Sequence, residues 1–210
     1  MQVLYPAYMI TFLSKKEQQR RFLLGYHLAY ETSSRKKDWN NIFALWQSAA
    51  TSGHKRAQFY LGTCYDHGLG CKRSLGTAIE WYLKAARQGH AVAQFNIGFC
   101  YRNGDGVEQN YRKALKWFAR AASHGDIPSQ REVGYSYFYG QGIQQDWKKA
   151  VYWYKKAAGK NDPLALYNLG LCYKTGEGVQ KSVRWARYYF QRAGALGHKK
   201  AAGQLKKLKV

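Results

Sequence analysis

Apolar and small side chains recur along most of the chain with the period of an amphipathic helix. From Ala57 they return at three- or four-residue spacing as far as Tyr65, which predicts a helix with one buried face. Two glycines, Gly68 and Gly70, end this helix, because glycine reaches left-handed backbone conformations at little cost. Ser74 can cap a second helix of the same spacing. The segment therefore predicts a helix, a tight turn and a second helix.

This helix–turn–helix pattern returns every 36 residues. The fixed columns are Gly62/Gly98/Gly134/Gly170, Tyr65/Tyr101/Tyr137/Tyr173, Gly68/Gly104/Gly140/Gly176, Gly70/Gly106/Gly142/Gly178, the caps Ser74/Asn110/Asp146/Ser182, Ala78/Ala114/Ala150/Ala186, the aromatics Trp81/Trp117/Trp153/Tyr189 and Ala85/Ala121/Ala157/Ala193. So many columns with the same 36-residue period are not expected by chance, so the sequence predicts a repeat array. The alanine and aromatic columns of the second helix are predicted to be buried.

The columns predict one continuous repeat domain with a cap at each end. Four units cover 57–92, 93–128, 129–164 and 165–200. Segment 1–56 is predicted to be an N-terminal segment with a degenerate first repeat, and 201–210 a basic capping helix, which keeps the end of an array soluble. The opening apolar stretch precedes Lys15 and Lys16, whereas a signal peptide has its positive charges first. It is therefore expected to pack on the array.

The stretch AVAQFNIGFCYRNGDGVEQNYRKALKWFARAASHGD, from Ala91 to Asp126, resembles the Sel1-like repeat family, which is related to the tetratricopeptide repeats. The resemblance extends from Ala57 to about Lys200. It implies an all-α fold, a right-handed α/α superhelix (solenoid) of about five Sel1-like helix-turn-helix repeats. It also implies a non-enzymatic scaffold or adaptor that binds a protein or peptide on the concave face, which the first helices line.

Outward positions of the first helices are the candidate partner-binding residues. Aromatic side chains beside arginine are typical of binding hot spots, and an acidic residue near a hydrophobic one would suit them in the partner. The candidates are Phe99, Arg102, Arg131, Tyr135, Phe138, Tyr139 and Lys174. Phe59, Phe95 and Tyr167 lie on the same faces, where they either bind the partner or pack between units.

The charge of the chain supports a second interpretation. The 34 Lys and Arg against 12 Asp and Glu give a net charge of +22, which attracts polyanions. Basic and aromatic residues alternate in Lys113–Arg120 and Lys148–Lys156, as in nucleic-acid binders. However, Trp117 and Trp153 belong to the fixed columns, so the cations between them are expected to form a solvated face. Nucleic-acid binding is the alternative to protein binding.

Several short motifs resemble catalytic or ligand-binding signatures but are better explained by the repeat. Lys174-Thr175-Gly176 and Ser33-Ser34-Arg35-Lys36 match two of the three motifs of β-lactam-recognising enzymes, but the Ser-Asp-Asn motif is missing. An enzyme-like, β-lactam-interacting protein is therefore the weakest alternative, and no enzymatic activity or cofactor is expected. Glycines such as Gly68 and Gly70 recur between two helices, whereas the glycines of a phosphate-binding loop follow a strand. They are therefore interpreted as turn residues.

Cysteines and histidines follow the repeat columns as well. Cys64, Cys100 and Cys172 share one column, which predicts reduced, structural thiols and no metal site. His54 and His90 share a column with His198 and are expected to cap helices or to pack. No run approaches the roughly 18 apolar residues of a membrane span, and a cytoplasmic location is expected, with export as the alternative.

Overall fold

The computed structural model describes residues 13–32 and 37–208. These residues form eleven α-helices and contain no strand, which confirms the all-α helical-repeat prediction. The helices are α1 Lys15–Tyr26, α2 Trp39–Thr51, α3 Lys55–His67, α4 Leu75–Arg87, α5 Ala91–Asn103, α6 Tyr111–Ser123, α7 Ile127–Tyr139, α8 Trp147–Ala158, α9 Pro163–Thr175, α10 Val183–Ala195 and α11 Lys199–Lys207. A π-helical turn, His27–Glu31, follows α1. The opening apolar stretch, as far as residue 12, and Ser33–Lys36 lie outside the described residues.

The chain divides into two compact units, Met1–Gln88 and Gly89–Val210. In the first unit, α1 packs on α2, α2 on α3 and α3 on α4. In the second unit, α5 pairs with α6, α7 with α8 and α9 with α10, and α6, α8 and α10 each also pack on the helix that follows. Every helix pair of a repeat is therefore antiparallel and joined by the short turn that the glycines predict.

The predicted turns and caps form through local hydrogen bonds. Gly140 closes α7 with a φ of 70°, in the left-handed region, and its N–H donates to the Ser136 carbonyl. The next helix, α8, begins after Asp146, whose side chain accepts from the Lys149 N–H at 2.9 Å. The same side-chain cap occurs at the other three positions of the column, which are Ser74, Asn110 and Ser182. The sequence prediction of this capping column is confirmed.

The close packing of each helix pair depends on a glycine beneath an aromatic ring. A Cβ atom on Gly134 would lie 2.7 Å from the Tyr154 ring, and one on Gly98 would lie 2.7 Å from the Phe118 ring. The buried rings are thus Tyr82, Phe118, Tyr154 and Phe190. The prediction had placed the buried aromatic one residue earlier, at Trp81, Trp117, Trp153 and Tyr189, which are only half-buried. The correction follows from the glycine, since the ring one position later covers it.

Histidine caps two of the first helices. The N–H of Ala57 donates to His54 Nδ1 at 3.1 Å, and that of Ala93 donates to His90 Nδ1 at 3.2 Å. His198 instead stacks on the Tyr167 ring, with 4.2 Å between centroids. Capping and packing are therefore the roles of this column, as predicted.

Two cysteines of the shared column have the properties of core residues. Cys64 and Cys172 are fully buried, and burial raises the pKa of each thiol to about 12. A thiol with this pKa is almost entirely protonated at neutral pH, which makes it a poor nucleophile and metal ligand. This agrees with the structural role predicted for them.

Candidate protein-binding groove

Three successive first helices of the second unit, α5, α7 and α9, line an open depression of about 630 Å³. We call it the first-helix groove. Its lining residues are Arg102, Asn103, Gln109, Tyr111, Arg131, Glu132, Tyr135, Gln141, Leu164 and Asn168. Polar groups that can pair with a peptide backbone therefore lie beside an aromatic ring and an aliphatic side chain, a combination typical of ligand sites.

A chain of alternating charges runs along the floor of the groove. Glu132 accepts from Arg102 through Oε2 and from Arg131 through Oε1, the latter at 3.3 Å. Arg131 also donates to Asp162 Oδ2 at 2.8 Å. Since Arg102 belongs to α5, Arg131 and Glu132 to α7, and Asp162 caps α9, the ion pairs connect three successive first helices. Their side chains are at most 23% exposed, so the pairs are shielded from salt better than surface pairs.

A departure from the repeat pattern at Arg131 distinguishes this part of the array. The same column holds Phe95 in the preceding repeat and Tyr167 in the following one. Phe95 packs on Phe118 at 5.8 Å between centroids, and Tyr167 packs on Phe190 at 5.5 Å. Arg131 instead pairs with carboxylates, so the groove has a charged floor where the neighbouring repeats have a packed ring.

Aromatic side chains form one wall of the groove. Tyr135 and Tyr139 lie 4.4 Å apart between ring centroids, and Tyr139 is 57% exposed. Tyr135 also lines a small adjoining cavity of about 30 Å³, together with Phe138 and Tyr139. Burial, and then the neighbouring Tyr135, raise the pKa of Tyr139, which therefore stays a neutral hydrogen-bond donor at physiological pH.

The structure brings most of the predicted site residues together. Arg102, Arg131 and Tyr135 line the groove, and Phe138 and Tyr139 line the adjoining cavity. Phe99 is 38% exposed, and the Arg102 guanidinium carbon lies 4.5 Å from its ring centroid. Its contact with Arg102 places Phe99 at the edge of the groove.

Other residues on the predicted faces have different roles. Lys174 is not among the groove residues, because its Nζ donates to Gln204 Oε1 in α11 at 2.9 Å. Phe95 and Tyr167 pack between helices, as the pairs above show. Phe59 similarly lies 5.7 Å from the Tyr82 ring. For these aromatics, packing is therefore the role that the contacts support.

Sequence reasoning missed several lining residues. Glu132 and Asn168 share the column two residues before the fixed glycine, and Leu164 lies at the second position of α9. Gln109 and Gln141 belong to the turns between helices. Of these residues, only the column of Glu132 and Asn168 has a pattern that could have indicated a site. Glu132 is the sole acid in that column, whose other members are Tyr60, Asn96 and Asn168. The turn residues Gln109 and Gln141 lie outside the helices, where helical periodicity assigns no face.

Residues 13–32 and 37–208 contain no cluster of three or more His, Cys, Asp or Glu suited to a metal ion. Within the same ranges, no helix has the length and apolar character needed to cross a membrane. Lys174 and Thr175, from the Lys-Thr-Gly motif, end α9.

These features define an α-helical repeat protein with an open recess of about 630 Å³ along its first helices. The chain belongs to the Sel1 repeat family, whose profile matches residues 55–90, 91–126, 127–162 and 163–198. The matched units begin two residues earlier in the period than the bounds chosen from the glycine and tyrosine columns. Sel1 repeats generally mediate protein–protein interactions, and the family is typically non-catalytic.

Solved structures of similar proteins share the fold. A Sel1 repeat protein from Oxalobacter formigenes is 30% identical, with a TM-score of 0.85 over 95% of this chain and 82% of its own. The protective antigen c5321 of uropathogenic Escherichia coli is 30% identical, with a TM-score of 0.86 over 91% of this chain and 41% of its own.

One similar protein is named for a regulatory role. The chitin synthase regulator SKT5 of Saccharomyces cerevisiae is 43% identical over 63 residues, which are 30% of this chain and 8% of the regulator. The chain thus matches a small part of that protein.

Proposed function

We propose that this protein is a non-enzymatic scaffold whose first-helix groove binds an extended segment of a partner protein. The observation that carries the proposal is the groove itself, where three repeats place aromatic, aliphatic and amide side chains around about 630 Å³ of open space. Exposed Tyr139 and Leu164, at 57% and 43%, offer apolar area to a partner. Burial of such area supplies most of the free energy of association.

The charges of the groove refine the partner that we propose. An acidic partner was expected because Arg102 and Arg131 are basic. Both arginines, however, already face carboxylates of Glu132 and Asp162, so an acidic segment would have to displace these pairs. We therefore propose a segment with one apolar anchor and a polar backbone, whose amides pair with groups such as Asn168.

The similarity to the yeast regulator supports a scaffold role in general terms. The match covers 30% of this chain, and repeat architecture in general positions a binding surface without supplying a reaction. From this similarity we propose for this chain only that it acts by binding another protein. The partner of this chain is defined here by the chemistry of its own groove.

The proposal is tested by panning a phage library of random peptides of about twelve residues, which can bind either as helices or as extended strands. The target is the whole chain, and the selected peptides are then measured against two groove variants, Tyr135→Ala and Leu164→Glu. We expect selected peptides to share an apolar residue and to lose at least about tenfold in affinity, or about 1.4 kcal/mol.

The matched control is Tyr152→Ala, which removes a tyrosine of 60% exposure from a second helix. Peptides that bind all three variants equally would place the site elsewhere and refute the proposal. A library that yields no binder would refute it too. Circular dichroism of each variant verifies that the helices remain intact.

A further inference from the structure

The second helices of the Gly89–Val210 unit have an extreme charge composition. Together α6, α8 and α10 contain eleven Lys and Arg and no Asp or Glu. The first helices of the same unit, α5, α7 and α9, contain four charged residues. These are the basic Arg102, Arg131 and Lys174 and the acidic Glu132. The positive charge of this unit is therefore concentrated on one helix of each repeat.

These cations form regular lines along the helices. Residues four positions apart lie on the same face of a helix. On each second helix, three residues spaced in this way form a line, with one residue in each turn. The nine positions are Arg112, Lys116 and Arg120 on α6, Lys148, Tyr152 and Lys156 on α8, and Arg184, Tyr188 and Arg192 on α10. We call them the basic face. All are exposed except Arg192, which is half-buried.

The three helices are neighbours through their starts and their cores. The turn before α8 packs on the start of α6, since a Cβ on Gly142 would lie 2.5 Å from the Tyr111 carbonyl carbon. The turn before α10 packs on the start of α8 in the same way, through Gly178 and Trp147 at 2.3 Å. Trp153 of α8 also packs against the core of α6. The second helices therefore begin beside one another in successive repeats, and the three lines occupy equivalent repeat positions.

The repeat architecture by itself does not require this charge. The same three columns read Gly76, Glu80 and Lys84 in α4, and Asn40, Ala44 and Ser48 in α2. Both helices are packed and capped without a basic line. Like charges four residues apart, such as Arg112 and Lys116, repel each other and destabilise a helix. An anionic ligand would remove this repulsion.

Two tyrosines lie among the cations. Tyr152 is 60% exposed and has Lys148 and Lys156 one turn away on either side. Tyr188 is 42% exposed and lies between Arg184 and Arg192, with the Arg192 guanidinium carbon 5.6 Å from its ring centroid. Exposed rings flanked by cations are the arrangement with which proteins hold single strands, because bases stack on the rings while phosphates pair with the cations.

We propose that the basic face binds single-stranded nucleic acid. The seven Lys and Arg of the face contact phosphates, and Tyr152 and Tyr188 stack on bases. An anionic membrane is the less favoured ligand, because membrane-surface helices bury a broad apolar stripe, whereas these tyrosines lie within lines of charge. The proposal is independent of the first-helix groove, because no residue of the basic face lines that groove.

The test is fluorescence anisotropy of the whole chain with labelled oligouridine and oligothymidine of about 20 nucleotides, long enough to exceed common single-strand site sizes. If seven phosphates are contacted, affinity should fall about a thousandfold between about 50 and 200 mM salt. Tyr152→Ala should weaken binding by about five- to a hundredfold, the range for loss of one stacked base. Lys148→Glu with Lys156→Glu should weaken it further.

Two controls separate the basic face from total charge. Lys55→Glu with Lys72→Glu makes the same charge change at exposed positions of the other unit. Tyr30→Ala removes a tyrosine of similar exposure, 53%, from the other unit. Both controls should bind oligonucleotides as the unmodified chain does.

Three results would overturn the proposal. The first is an equal loss of affinity in the Lys55/Lys72 control, and the second is unchanged binding by Tyr152→Ala. The third is binding to phosphatidylserine vesicles, sensitive to the basic-face variants, without binding to either oligonucleotide. Because the substituted positions are exposed, the variants should keep the circular dichroism of the unmodified chain, and this measurement checks that a loss of affinity does not come from unfolding.

Discussion

Asp162 binds Arg131 and caps α9 at the same time. Its Oδ2 accepts from Arg131 Nη1 at 2.8 Å, and its Oδ1 accepts from the Ala165 N–H at 2.7 Å. One carboxylate therefore fixes the start of a first helix and the floor of the first-helix groove. Groove geometry and repeat packing are coupled through this residue, because displacement of either partner strains the other contact.

Asp162→Ala should destabilise the protein more than an ordinary loss of a helix cap. Loss of the cap costs about 1 kcal/mol, and leaving Arg131 without this carboxylate adds about 1–3 kcal/mol. We expect a total of about 2–4 kcal/mol by urea denaturation followed by circular dichroism. The appropriate control is Asp126→Ala, since Asp126 caps α7 through the Ser129 N–H at 2.9 Å.

Asp126→Ala should cost about 1 kcal/mol, the cap alone. Equal losses for the two variants would show that the Arg131–Asp162 pair contributes nothing to stability. A double-mutant cycle with Arg131→Gln measures the coupling directly.

Gly134→Ala should be destabilising although alanine is the better helix former. The added Cβ would lie 2.7 Å from the Tyr154 ring, and overpacking of this kind costs about 1–3 kcal/mol. The matched control is Gly203→Ala in α11, where nothing lies within 4 Å of the new Cβ. That substitution should stabilise the protein by about 0.5–1 kcal/mol through helix propensity. A stabilising Gly134→Ala would contradict the close packing described here.

The sequence correctly predicted those structural features that depend on residues close together in the chain. The turn at Gly140 and the cap at Asp146 were correct because each is made by backbone groups within a few positions. The buried aromatic was misplaced by one residue because Trp153 and Tyr154 both lie near the buried face. Only the contact of Tyr154 with Gly134, on the other helix, decides between them.

The groove was predicted in part for a related reason. Outward positions such as Tyr135 follow from helical periodicity, so the correct face was found. The pairing of Arg102 with Glu132 joins residues 30 positions apart, and no local pattern indicates which acid faces which base. The net charge of the groove, and hence the chemistry of the proposed partner, became evident only from the three-dimensional contacts.

Thiol reactivity should single out Cys71. Cys64, Cys100 and Cys172 are buried, whereas Cys71 is half-buried. The pKa of about 12 for Cys64 and Cys172 leaves about one thiolate in ten thousand at pH 8. With a disulfide reagent, the native protein should show one fast thiol that Cys71→Ser removes, and all four should react in denaturant. Fast labelling of Cys64 in the native protein would contradict the burial described.

Stability should fall as the pH decreases through the range where His54 titrates. Burial, and then the nearby Arg56, lower the pKa of His54 below its ordinary value of 6.5. The folded state consequently binds fewer protons than the unfolded state in the interval between the two pKa values. The stabilising contribution of neutral His54 is complete above pH 6.5 and is lost as the pH falls toward the folded pKa.

The hydrogen bonds of His54 account for this dependence. Its Nδ1 accepts from the Ala57 N–H, so Nε2 carries the proton and donates to Gln19 Oε1 at 2.9 Å. Protonation of Nδ1 abolishes the cap. His54→Asp is the informative variant, because the same column holds Asp126 and Asp162, which cap their helices as carboxylates.

We expect urea denaturation of the unmodified chain to show a decline in unfolding free energy between about pH 7.5 and 5.5, around the ordinary histidine pKa. In His54→Asp this decline should be smaller, since a carboxylate remains an acceptor throughout that range. His124→Asn is a suitable control, because His124 is an exposed residue outside the capping column. An unchanged pH profile in His54→Asp, or an equal change in His124→Asn, would mean that the cap does not control this titration.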